Sequence, residues 1–131
     1  NGDIAILDSL NNLSLYQNSL SAFASLALSA KNPHFDGTGQ KILFLHNQEA
    51  VVIWLEDNTY QPFQKKWTED RVIRLNAPIR EAVWWYGDDA HIAIQTDDGV
   101  FLTELDGRGG RSTIQLYSGM VDEVLAVPEI P

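Results

Sequence analysis

The sequence has no cysteine, one methionine and little positive charge, and each shortage removes a class of explanation. Without cysteine there is no disulfide framework and no thiolate chemistry, and the redox compartment stays open. Nine Lys and Arg stand against eighteen Asp and Glu, a formal charge of −9. Nucleic acid needs clustered cations that displace phosphate counterions, so it is not an expected partner. An anionic membrane surface is disfavoured for the same reason. No apolar run reaches the roughly 20 residues a membrane helix needs. The most apolar early stretch, 20–30, is broken by Ser21, Ser25 and Ser29. No basic-then-apolar leader is present. The chain opens on Asn1 and its one methionine is Met120, which reads as a segment of a longer or processed chain. No segment holds a 3.6-residue apolar period, so little helix is expected.

What is present is a repeat. Leu75-Asn76-Ala77-Pro78-Ile79-Arg80-Glu81-Ala82-Val83-Trp84 overlays Leu116-Tyr117-Ser118-Gly119-Met120-Val121-Asp122-Glu123-Val124-Leu125. Both run from an apolar strand end through a small-residue turn and an acid into a new apolar strand. A third copy begins at Leu15-Tyr16-Gln17-Asn18 and runs into Ser21-Ala22-Phe23-Ala24. Val51-Val52-Ile53-Trp54-Leu55-Glu56-Asp57 likewise overlays Val100-Phe101-Leu102-Thr103-Glu104-Leu105-Asp106, with Asp3-Ile4-Ala5-Ile6-Leu7-Asp8 as a further copy. A period of about 40 to 50 residues is that of propellers and related arrays.

Four short strands fit one period. In the clearest copy they are 81–85, 91–96, 100–105 and 112–116, each rich in β-branched or aromatic residues and bounded by Asp and Gly turns. In the longer middle copy they are 22–28, 41–45, 51–55 and 72–75. Ile42-Leu43-Phe44-Leu45 is apolar without alternation, the pattern of a strand covered on both faces. The expected fold class is therefore all-β, a partial β-propeller of four-stranded antiparallel blades. Residues 1–19 give the last two strands of one blade, 20–78 a full blade with a long loop at 57–70, and 79–119 a second full blade. Residues 120–131 give the first strand of the next, stopped by Pro128 and Pro131. A solenoid of hairpins is the rival architecture.

Phe35-Asp36-Gly37-Thr38-Gly39-Gln40-Lys41-Ile42-Leu43-Phe44 resembles the blade signature of TolB-like and WD-repeat-like propellers: an aromatic, an Asp-Gly turn, a basic residue and an apolar strand. Trp85-Tyr86-Gly87-Asp88-Asp89-Ala90-His91-Ile92-Ala93-Ile94 is the second copy. The segment Val100-Phe101-Leu102-Thr103-Glu104-Leu105-Asp106-Gly107-Arg108-Gly109-Gly110-Arg111 is similar to blades of bacterial surface proteins that carry PEGA domains. The resemblance implies a propeller scaffold in a bacterial envelope or surface protein, so an extracytoplasmic location is an expectation from resemblance alone.

The residues that could carry chemistry point mostly to structure. His34, His46 and His91 show no metal-ligand spacing. Asp88-Asp89, Asp97-Asp98 and Asp122-Glu123 are paired acids without calcium-loop spacing, and the first two pairs sit in expected hairpin turns. There is no Gly-X-Ser-X-Gly elbow, and Gly107-Arg108-Gly109-Gly110 precedes a strand rather than a phosphate-binding helix. Trp84-Trp85-Tyr86 could stack on a sugar but reads first as packing between blades. No catalytic residue, metal or cofactor is therefore expected.

Only the 57–70 loop adds something beyond the repeat. It is about eight residues longer than its 106–111 counterpart, and it combines aromatics with the densest positive charge. Tyr60, Phe63, Lys65, Lys66 and Trp67 are the candidate partner contacts, since aromatics are enriched at interaction hot spots; the competing reading is a decorated hairpin folded onto its own blade. The expected function is a non-catalytic scaffold binding a protein or small ligand. The alternatives are part of a propeller enzyme acting on glycans or sugars, and a structural spacer. Incomplete blades at both ends would leave unpaired edges, so self-association of this chain is also expected.

Overall fold

A computed structural model describes residues 2–85 and 90–126. Among these there is no helix, and eleven strands form three antiparallel sheets. The first sheet holds β1 (Ile4–Leu7), β2 (Leu13–Gln17) and β3 (Ala22–Ala27). The second holds β4 (Lys31–Phe35), β5 (Lys41–His46), β6 (Glu49–Trp54) and β7 (Glu69–Arg74). The third holds β8 (Glu81–Trp84), β9 (His91–Thr96), β10 (Gly99–Glu104) and β11 (Thr113–Ser118). Every sheet is an up-and-down meander with its strands in chain order.

The repeat is geometric as well as sequential. In the β5–β6 hairpin Lys41 pairs with Trp54 and His46 with Glu49; in β9–β10 His91 pairs with Glu104 and Thr96 with Gly99. Each residue has its counterpart fifty positions on. The bond closing each hairpin repeats too: Leu55 N–H donates to Gln40 O at 2.8 Å, and Leu105 N–H to Ala90 O at 2.7 Å.

Two cores alternate with the three sheets. Leu13 and Leu15 of the first pack with Ile42, Phe44, Val51 and Ile53 of the second. On the other side of the second sheet, Leu43, Leu45, Ala50, Val52 and Trp54 pack with Ala82, Trp84, Ile92 and Ile94 of the third. Successive side chains of a strand point to opposite faces. The unbroken apolar run of β5 thus serves two neighbours at once, each buried side chain contributing about 1.5–3 kcal/mol.

Three strand expectations are corrected. Segment 22–28, read as the first strand of the middle unit, pairs with β2 and closes the first sheet, so the opening unit has three strands rather than two. The strand that opens the second sheet is β4, within Lys31-Asn32-Pro33-His34-Phe35. Asn and Pro made that segment look like a turn. The chain accommodates them because β4 is a sheet edge, and a bulge between Lys31 and His34 takes up Asn32 at φ 50°. The final strand expected within 120–131 is also not observed among the described residues: residues 120–126 are not in a strand, and 127–131 lie outside the described residues. Val124, Leu125 and Ala126 instead lie over the outer face of the third sheet, and Gln95 Nε2 donates to Val121 O at 2.7 Å.

Candidate functional site

The long connection between β6 and β7 is itself a built hairpin. Trp54 N–H donates to Thr68 O at 3.0 Å and Trp67 N–H to Trp54 O at 2.6 Å, extending the ladder past the strand ends, with Trp67 in the left-handed region at φ 71°. Further out, Asn58 and Gln64 exchange backbone bonds of 2.7 and 3.2 Å. The Asn58 amide then ties the tip from inside, donating to Tyr60 O at 3.1 Å and Pro62 O at 2.7 Å around a cis Gln61–Pro62 bond. Asp57 accepts from Lys66 N–H at 2.8 Å. The expected loop was 57–70; Glu69 and Asp70 belong to β7.

All five expected contact residues are exposed, and Tyr60 is the most exposed of the three aromatics at 79%. The structure does not bring them into one site. Phe63 lines a groove of about 540 Å³ toward the third sheet. Trp67 lines a notch of about 330 Å³ on the opposite side, against Ala24, Ser25 and Leu26 of β3. Lys66 extends over the Trp67 ring, 4.9 Å from its centre. Tyr60, Lys65 and Lys66 line neither hollow.

The groove gains its other wall from the β10–β11 loop, which sequence reasoning left out of the site. Arg111 reaches across from that loop to the second sheet. It donates to Asp70 at 3.0 and 3.3 Å, to Val72 O at 3.1 Å and to Leu105 O at 2.8 Å. Arg108 chelates Asp106 through Nε and Nη2, and its Nη1 also bonds Gln61 of the long loop. The Arg108 guanidinium, followed by the Arg108 backbone N–H, lowers the Asp106 pKa to about 2. A carboxyl held ionised so far below neutrality is a poor general acid, so its chemistry here is that of a hydrogen-bond acceptor. The available signal was Asp106 two residues before Arg108, a spacing that suits a side-chain-capped turn.

The remaining candidates fall into structural roles. His34 stands 3.6 Å from Glu81, His46 Nδ1 is 3.3 Å from Ser29 O, and His91 meets the Trp85 ring edge-on at 5.8 Å. Asp97 of the β9–β10 turn accepts from Arg80 of the 75–80 link; the pair Asp88-Asp89 and Tyr86 lie outside the described residues. Trp84 is sealed between the sheets, its Nε1 donating to His34 O at 3.1 Å, whereas Trp85 is half-exposed on the outer face. Among the described residues no group of three or more His, Asp or Glu is placed to hold a metal ion, and no helix is long and apolar enough to cross a membrane. These observations define an all-β chain of three antiparallel sheets. No family model matches it, and no curated protein and no solved structure matches it either.

Proposed function

We propose that the three sheets are successive blades of a partial β-propeller, and that the chain is a non-catalytic scaffold presenting the groove between its β6–β7 and β10–β11 loops to a protein segment or small ligand. The meander order, the shared hairpin register and the face-to-face packing of successive sheets support the propeller reading. One observation carries the binding reading. The long β6–β7 insertion is braced by its own hydrogen bonds into a fixed wall of the groove, and exposed Phe63 lines that wall. Rigid aromatics lose little conformational entropy on binding.

Affinity capture from native extract tests this, comparing the wild-type chain with a Phe63→Ala variant. A protein or ligand retained by the first and lost from the second is expected. A specifically retained partner that binds both equally would contradict the groove as the contact surface.

A further inference from the structure

At the end of the second sheet away from the groove, two of the nine basic residues of this acidic chain come together. Arg71 and Arg74 stand three positions apart in β7, a spacing that puts side chains on opposite faces of a regular strand. Here they share a face, because a bulge lies between them. Arg74 pairs with Glu49, Ile73 with Ala50 and Arg71 with Val51, which leaves Val72 as the extra residue. Val51 and Ile53 mark that face as the one turned toward the first sheet.

The bulge belongs to the repeat, but the arginines do not. β11 has the same bulge against β10, and there Gly99, Gln115 and Ser118 hold the places of Glu49, Arg71 and Arg74. The hairpin turns differ in the same sense, with Asn47-Gln48 standing where the third sheet has Asp97-Asp98. The corner is basic in one sheet and acidic in the next, so the sheet geometry does not require the arginines.

This corner encloses a cleft of about 240 Å³ lined by His46, Asn47, Gln48, Glu49, Arg71 and Arg74. All six residues are polar, so the cleft offers an apolar ligand nothing to pack on. The Glu49 side chain is only 9% exposed, and it approaches Arg71 Nε at 3.5 Å and Arg74 Nη1 at 3.3 Å. Both distances exceed the roughly 2.7–2.9 Å of a close charge-assisted bond. The two arginine side chains stay 67 and 73% exposed. One buried carboxylate therefore positions two guanidiniums without saturating them, and one positive charge is left in excess. His46 braces the turn, with Nδ1 3.3 Å from Ser29 O and Nε2 3.2 Å from the Asn47 amide nitrogen.

We propose that this cleft binds a small oxyanion, a phosphate or a carboxylate, through Arg71 and Arg74. Guanidinium forks match the paired oxygens of both groups. The excess positive charge repels a cation, and a volume below the roughly 300–1,000 Å³ of a drug-sized site limits the ligand to a small group. The cleft lies at the opposite end of β6 and β7 from the long loop, so its failure would leave the groove reading intact.

Amide chemical shifts of the 131-residue chain test this, in titrations with inorganic phosphate and separately with acetate at constant ionic strength. Saturable shifts centred on residues 47–49, 71 and 74 are expected, with a dissociation constant of about 10 mM or below for at least one anion. Saturation by phosphate alone supports a phosphate ligand, by acetate alone a carboxylate, and by both the whole oxyanion class. No saturable shift at those residues with either anion would overturn the proposal. Arg71→Gln and Arg74→Gln should each weaken binding at least about tenfold while keeping the amide dispersion of the folded chain. Arg80→Gln removes the same charge from beside Asp97 of the third sheet, and should leave binding within about twofold. Equal weakening by Arg80→Gln would reduce the effect to general attraction and overturn the site.

Discussion

Lys41 Nζ lies 2.8 Å from Asp36 Oδ2, and both side chains are closed off from solvent where the second sheet meets the third. The ammonium also sits 5.0 Å from the Trp54 ring centre and 5.6 Å from that of Trp84. The same carboxylate holds the β4–β5 turn, accepting from Gln40 N–H, Lys41 N–H and the Thr38 hydroxyl. One residue therefore shapes a turn within a sheet and anchors a charge between sheets. Removing it strands a buried cation and frees two backbone donors. Asp36→Ala should lower stability by about 3–5 kcal/mol in urea titrations, and a loss under about 1 kcal/mol would show that the ion pair is not buried as described.

Adjacent tryptophans should respond in opposite ways. Trp84 is fully buried and bonded to His34 O, so Trp84→Ala should cost about 3–5 kcal/mol. Trp85 points to the outer face and is 48% exposed, so Trp85→Ala should change monomer stability by about 0.5 kcal/mol or less. Equal losses at the two positions, measured by the same urea titrations, would mean that the strand has the other register.

The groove wall carries a prediction in pH. The Asp106 carboxyl is lowered from 3.8 to about 2, so its pairing with Arg108 favours the folded state above about pH 4 and is lost as pH falls through about 2. Its side-chain carbonyl resonance should titrate near 2 and move to the ordinary carboxylate range in Arg108→Ala. A wild-type midpoint near 3.8 would mean that the chelate is absent in solution.

Much of the fold was legible because burial imposes simple patterns. The β5 run could be read as covered on both faces because nothing in it is polar between Ile42 and Leu45. The β9–β10 hairpin was marked by its Asp-Asp-Gly turn, and at Gly99 the glycine is required. A Cβ there would lie 2.0 Å from Tyr117 O. Edge strands were harder. β4 contains Asn32 and Pro33, which an edge with a bulge tolerates and a local reading takes for a turn. As a result β3 was assigned to the wrong sheet and the opening unit was given one strand too few. The site was half legible: length and aromatics marked the β6–β7 loop, but the opposite wall comes from residues about forty positions away. No local pattern announces that Arg111 reaches Asp70.

The three-four-four arrangement of strands carries the rest, and cross-strand nuclear Overhauser effects test it directly. The account predicts contacts between the backbones of Leu15 and Ala24 and between those of Phe35 and Ile42. Contacts linking Ala24 to β5 instead, with none between Leu15 and Ala24, would move β3 into the second sheet and contradict the arrangement.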